Sequence, residues 1–339
     1  MKLHAIYALM LVVVVAVVAF IPGRAQVANT LLEEATSSNA QAPTKNWAAG
    51  NPLKIALLKW YQANLVPTYF NVGKTKNSNP YGLAFDGQNI WSANSGDGTV
   101  TKLRASDGAA LGTFTVGGQP NGLLFDEANV WVTVSPDTVT KLRASDGKIL
   151  GSFKVGGAPW WPAFDGENIW VPNFSDGTVS KLRARDGKNL ATFKLDGAIG
   201  AAFDGTSVWV TSYGPDTVTK LRPNDGKVLG TFSVGKGPIG VAFDGANIWV
   251  ANTADGTASK LRASDGKTLG TFNVGASPYG VVFDGNNIWV TTGIAVAELR
   301  ASDGKVLGEF FANGGSTVVA FDGANVWVAL GLGNQVLKF

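Results

Sequence analysis

The sequence predicts an all-β fold, a seven-bladed β-propeller of four-stranded antiparallel blades closed by an N-terminal strand that completes the last blade. Three observations lead there. A Phe-Asp pair with a Trp six residues after the Phe occurs at Phe85/Trp91, Phe125/Trp131, Phe164/Trp170, Phe203/Trp209, Phe243/Trp249, Phe283/Trp289 and Phe321/Trp327. These phenylalanines recur every 38 to 40 residues, a period typical of units that cannot bury their own apolar surface and must stack on neighbours. Finally, the last copy stops at Val336-Leu-Lys-Phe339, which matches a third strand, while Thr68-Tyr-Phe-Asn-Val-Gly73 matches the fourth-strand segment Thr271-Phe-Asn-Val-Gly275. An orphan fourth strand at one end and a missing one at the other predict closure of the ring by backbone pairing of the two ends, leaving no open sheet edge at that point.

The segments before the repeat are of different kinds. Lys2 is followed by an unbroken apolar run from Ala5 to Ile21 and then by Pro22-Gly23-Arg24-Ala25, which reads as a secretory signal over residues 1–25, cleaved before Gln26. The run is close to the length that spans a bilayer, so a retained membrane anchor through residues 5–21 is the alternative. Either reading exports the propeller, to the periplasm or beyond the cell. Residues 26–50 are rich in Ala, Ser, Asn, Gln and Thr and read as a flexible tether. Over residues 51–67 a short amphipathic helix and connector are expected, with Asn51-Pro52 as cap and first turn and Leu53, Ala56, Leu57 and Trp60 as its stripe. That stripe suits packing on the propeller or docking to a partner or membrane surface.

The propeller itself spans residues 68–339. In the fifth repeat, strands are expected at Gly240–Phe243, Asn247–Ala251, Thr257–Arg262 and Leu269–Val274, separated by Asp244-Gly245, Ala254-Asp255-Gly256 and Asp265-Gly266. Asp-Gly pairs suit such turns because both residues tolerate positive φ. The other repeats follow the same plan.

Composition narrows the chemistry. Of 339 residues 45% are hydrophobic, with 43 glycines spread through the repeat, enough for a large ordered core. Without residues 1–25 the chain carries 26 basic and 25 acidic side chains, a net charge of +1, so no general field attracts phosphate backbones. The absence of cysteine excludes disulfides, thiolate nucleophiles and thiolate metal ligands.

The consensus Ile-Trp-Val-Ala-Asn, Asp-Gly-Thr-Val, Lys-Leu-Arg-Ala-Ser-Asp-Gly and Pro-x-Gly-Val-Ala-Phe-Asp-Gly resembles the YVTN-type propeller repeat, with Trp249-Val250-Ala251-Asn252 standing where that family has Tyr-Val-Thr-Asn. The resemblance covers residues 68–339 and implies the fold. Propellers of this type include binding proteins, nucleic-acid binders, surface-layer components and enzymes such as the streptogramin lyases, so it does not choose a function.

Residues that vary from blade to blade on the face bearing the channel mouth are the candidates for function. Four residues before each Phe stand Tyr81, Asn121, Trp160, Ile199, Ile239, Tyr279 and Thr317. Three after each Trp stand Asn94, Val134, Asn173, Ser212, Asn252, Thr292 and Leu330. Trp161 replaces the usual glycine beside Trp160, and Phe174 and Tyr213 follow Asn173 and Ser212. Tyr81, Asn94, Trp160, Trp161, Asn173, Phe174, Tyr213, Asn252, Tyr279 and Thr292 are therefore the expected ligand-binding residues. Aromatic faces with interleaved amides suit a small molecule, a glycan or a protein segment. The competing reading makes the aromatics a plug and the asparagines supports for the turns. The seven repeated tryptophans read as inter-blade packing and the Phe-Asp aspartates as turn residues.

Catalytic groups are scarce. His4 is the single histidine and lies in the signal, so the histidine base implied by the streptogramin-lyase resemblance has no position to occupy. Only six glutamates occur: Glu33 and Glu34 in the tether, Glu127 and Glu167 in turns at the opposite face, and Glu298 and Glu309 in outer strands. Asp196 is the one carboxylate expected in an inter-blade loop at the mouth, near Lys74, Lys76 and Lys236, too few acids for a calcium site. No catalytic residue, metal or cofactor is assigned. The expectation is a monomeric exported binding or interaction scaffold. A lyase- or hydrolase-type enzyme and a single-stranded nucleic-acid binder using Tyr81, Trp160 and Tyr279 as a stacking platform are the alternatives.

Overall fold

The computed structural model describes residues 67–339, and the leader (1–25), the tether (26–50) and all but Pro67 of the helix and connector (51–67) expected from the sequence lie outside them. The described residues form seven four-stranded antiparallel sheets, each in simple sequence order except the last. Blade 1 consists of β2 (Pro80–Phe85), β3 (Asn89–Asn94), β4 (Thr99–Arg104) and β5 (Ala110–Thr115). Blade 5 has strands at Pro238–Phe243, Asn247–Asn252, Thr257–Arg262 and Thr268–Asn273, within two residues of the sequence expectation. In blade 7, β26 (Ser316–Phe321), β27 (Val326–Leu330) and β28 (Gln335–Lys338) are completed by β1 (Thr68–Asn71). β1 runs antiparallel to β28 from Thr68 opposite Lys338 to Asn71 opposite Gln335. Ring closure by the N-terminal strand is thus observed.

The Phe-Asp-Trp signature does more than fill space. In every blade the indole N–H of the Trp donates to the aspartate of the preceding Phe-Asp pair, at 2.6–2.8 Å. The other oxygen of that carboxylate caps the turn, as Asp86 does for the N–H groups of Gln88 and Asn89. A buried indole therefore keeps its hydrogen bond while its rings pack between blades. Six of the seven tryptophans are fully buried; Trp289 is 7% exposed.

The repeated Lys-Leu-Arg is split between two tasks. Lys102, Lys141, Lys181, Lys220, Lys260 and Lys338 each place Nζ 5.0–5.4 Å from the ring centroid of their own blade's Trp. Each then donates to a backbone carbonyl of the next blade at 2.6–2.8 Å, as Lys102 does to Ala144 and Lys338 to Ala105. The arginines face outward and pair with the aspartate three residues on, as in Arg183–Asp186 at 2.6 Å. The positive charge of the third strands is consumed in seams and surface turns, so these strands form no basic groove.

Fourth-strand phenylalanines finish each seam. Phe114 stacks on Trp91 at 5.7 Å, and its ring occupies the place where a Cβ on Gly147 of the next blade would stand. Gly147 also has φ of +73°, so both sterics and backbone require glycine there.

One repeat breaks its own turn rule. Six Phe-Asp turns continue with Gly87, Gly166, Gly205, Gly245, Gly285 and Gly323, all at φ of +89° to +98°, and the second has Glu127 at +77°. Glu127→Gly is therefore expected to raise stability by about 1 kcal/mol by relieving left-handed strain. Trp249→Ala, which opens a cavity between blades, is expected to lower it by about 3–5 kcal/mol. Urea unfolding midpoints of the two variants check both signs.

Candidate functional site

The mouth face is built from the loops between blades and the turns joining second to third strands. At the innermost layer of the channel stand the residues three before each Phe: Gly82, Gly122, Trp161, Gly200, Gly240, Gly280 and Val318. Glycine is favoured there because adjacent inner strands nearly touch. A Cβ on Gly82 would lie 2.5 Å from the carbonyl oxygen of Asn121, and one on Gly122 would lie 2.9 Å from that of Trp160.

Trp161 cannot follow that geometry, and the inner strand of blade 3 is rebuilt around it. Only Ala163–Phe164 remain as β10, against six residues in β2. The Trp161 backbone instead joins blade 4, its N–H donating to Ile199 O at 3.2 Å and its carbonyl accepting from Ala201 N–H at 3.0 Å. Pro162, lacking an N–H, adds to the interruption. The indole then reaches across the channel to Tyr279 of blade 6, 5.1 Å between centroids. It also borders a cavity of about 110 Å³ lined by Gly82, Gly200, Gly240, Gly280 and neighbouring valines and leucines.

Around it four aromatic rings form a continuous edge-to-face chain. Tyr81 meets Trp160 at 6.4 Å, Trp160 meets Trp161 at 6.0 Å, and Trp161 meets Tyr279. All four are half-buried, so each keeps some surface toward solvent. Burial, with smaller contributions from Tyr81 and Tyr213, pushes the Tyr279 phenol up to about 12. It stays a neutral hydroxyl donor and acceptor at any ordinary pH. The indole N–H of Trp161 is buried and has no acceptor among the described residues. Phe174 and Tyr213 make a second pair on the rim of blades 3 and 4, at 6.2 Å, with more than a third of each exposed.

Four expected site residues are placed otherwise. Asn94, Asn173 and Asn252 are fully buried. Their amides donate to Thr99 and Thr101, to Thr178 and Ser180, and to Thr257 and Ser259, at 2.9–3.0 Å. They tie second strands to third strands beneath the face, because an amide can satisfy two hydroxyls of the facing strand that the repeat supplies. Thr292 is also buried, with its hydroxyl donating to Ala295 O at 3.0 Å. None of the four faces the mouth. Three of the seven positions before the phenylalanines, Asn121, Ile199 and Ile239, are buried as well.

The polar candidates are engaged on the surface. Asp196 pairs with Lys194 at 2.6 Å, and Lys74 Nζ donates to Thr115 at 2.7 Å. Among the described residues no three His, Cys, Asp or Glu side chains lie together as a metal site would require. Sequence reasoning missed Ile294, Phe311 and Leu332, each more than two-thirds exposed, at the same face of blades 6 and 7. Their signal was apolar residues in turns joining second to third strands, and at a fourth-strand end where other blades carry Thr115, Lys154, Lys194, Ser233 and Asn273. It also placed Glu298 in an outer strand as an unremarkable acid, whereas the side chain is 3% exposed between blades.

The comparisons with known proteins fit this architecture. A family model described as outer membrane protein assembly factor BamB matches residues 175–321. A solved streptogramin B lyase is similar at 18% identity and a TM-score of 0.70, over 80% of this chain and 96% of that one. A selenomethionine-substituted virginiamycin B lyase from Staphylococcus aureus is similar at 16% identity and a TM-score of 0.70, over 80% and 98% respectively. At such identities the likeness shows the shared propeller fold. No curated protein sequence matches the chain.

Proposed function

We propose that the chain is an exported propeller of the YVTN type that works as a binding scaffold, taking its ligand at the channel mouth on the Tyr81–Trp160–Trp161–Tyr279 cluster. The observation that carries this reading is Trp161. A bulky residue stands where the ring geometry favours glycine, the inner strand of its blade keeps only two residues, and its indole joins rings from blades 1, 3 and 6. A purely structural plug could be made from valine, as blade 7 does with Val318, without giving up strand pairing.

The cluster offers flat apolar surface and the Tyr279 hydroxyl, with the buried Trp161 indole N–H left without an acceptor among the described residues, a combination suited to a ligand with an apolar or aromatic body and few acceptors. The BamB description of the matching family model supports a protein segment as that ligand. Phe174 and Tyr213 would extend the contact along the rim. Neither a charge-steered ligand nor a bound metal is part of this reading.

Trp161→Gly restores the repeat's own residue and is expected to keep or raise the melting temperature while abolishing ligand-induced thermal stabilisation; Tyr279→Ala is expected to weaken it at least tenfold, about 1.4 kcal/mol. A thermal-shift titration with muropeptides, oligosaccharides and a peptide library reads both, and undiminished shifts in the two variants would move the site elsewhere. Export is checked separately. N-terminal sequencing of the mature protein is expected to begin at Gln26, and recovery of an intact N-terminus in the membrane fraction would instead support the anchor.

A further inference from the structure

Six blades carry a lysine at the third-strand position that lies over the tryptophan and bonds to the next blade, and blade 6 carries Glu298 there instead. We infer that Glu298 makes the joint between blades 6 and 7 the pH-sensitive seam of the ring: it is closed with a neutral Glu298 carboxyl, and loss of that proton to solvent places a second negative charge beside Asp284 with no cation to offset it.

The geometry of the seam supports this. Glu298 stands opposite Trp289 in register on β23 (Asn287–Thr291) and β24 (Ala295–Arg300), as Lys102 stands opposite Trp91. An ammonium is attracted by the negative face of an indole, whereas a carboxylate is repelled by it. Asn287 Nδ2 donates to Glu298 Oε1 at 2.7 Å. The corresponding amides of Asn89, Asn129, Asn168, Asn247 and Asn325 go to the turn aspartate instead. Asp284 therefore lacks the side-chain amide that five of its counterparts keep, and its blade lacks the lysine that lies over the tryptophan in the other six.

The link to the next blade is missing too. The other six lysines each reach a carbonyl in the turn joining third and fourth strands of the following blade. In blade 7 those strands are β28 and β1, from opposite ends of the chain, and no such turn joins them. Phe339 packs on Phe310 at 5.6 Å, in the role that a turn glycine plays elsewhere. Trp289 is the one seam tryptophan with measurable exposure.

Nearby charges do not rescue an ionised Glu298. Within blade 6, Arg300 is paired with Asp303 at 3.1 Å in solvent, and Glu309 points outward from the neighbouring strand. From blade 5, Lys260 is committed to Ala301 O and Ser302 O. From blade 7, Asp322 accepts from Trp327 and Lys338 reaches on to blade 1. Burial first, and Asp284 second, raise the Glu298 pKa above its ordinary 4.5, and the Asn287 bond only partly opposes them. Because the folded value is the higher one, this group's stabilising effect is complete below about 4.5 and is lost progressively as pH rises through the folded pKa.

The test compares the full chain with Glu298→Gln, which mimics the neutral acid. Urea midpoints are measured from pH 4.5 to 8, with amide exchange corrected for intrinsic rate. The wild type is expected to lose stability relative to Glu298→Gln as pH rises, with severalfold faster opening of strands 295–300 and 326–330 in the wild type alone. Parallel pH profiles, or faster exchange shared by all seven blades, would overturn the inference. A carbon-13 titration of the Glu298 carboxyl in the wild type is independent of the variant's folding; a midpoint at or below 4.5 would also overturn it.

Discussion

A relay of four groups holds this ring together: aspartate carboxylate to indole N–H within a blade, indole face to lysine ammonium, and ammonium to a carbonyl of the next blade. It lets a large aromatic and a charged amine be buried at the same seam, since every polar atom finds a partner. Fourth-strand phenylalanines close the same seams from outside. Because the relay of six of the seven blades ends in the neighbouring blade, those blades support one another around the ring, and β1 pairing with β28 joins the last blade's two halves.

Function in such a repeat is best sought where it departs from its own rule. Blade 3 replaces a glycine with Trp161 and gives up most of an inner strand. Blade 2 holds Glu127 in a left-handed turn, and blade 6 exchanges the relay lysine for Glu298. The first departure gathers aromatic rings into the channel mouth. The last changes how a seam responds to protons, in a sense opposite to the turn aspartates. Burial works to raise the pKa of Asp204 and Asp322, but indole and other hydrogen bonds lower it overall, so their stabilisation is present above the ordinary carboxylate range and lost on acidification.

The fold was legible because its determinants are local and repeated: Asp-Gly turns, alternating strands, and an orphan fourth strand at one end matched by a missing one at the other. The candidate site was legible only in part. Tyr81, Trp160, Trp161 and Tyr279 stand out as bulky departures at one repeat position, and the structure brings them together. Asn94, Asn173 and Asn252 were misread because an amide after a strand can face either solvent or the hydroxyls of the next strand. The Thr99/Thr101-type pairs that satisfy it are part of the repeat and draw no notice. Ile294, Phe311 and Leu332 went unseen since exposure of a turn residue depends on neighbouring loops rather than on its own sequence. Glu298 was visible as a change of residue, but its consequence required knowing that the lysine it replaces crosses a seam.

Whether the aromatic mouth is a binding surface can be read from fluorine NMR on the protein labelled with 5-fluorotryptophan. Signals are assigned with Trp160→Phe and Trp161→Phe and followed during titration with muropeptides, oligosaccharides and peptides in turn. One of these classes is expected to shift the Trp160 and Trp161 resonances while the seven seam tryptophans stay unmoved. A ligand that binds and leaves both mouth resonances unchanged would contradict a binding role for the mouth.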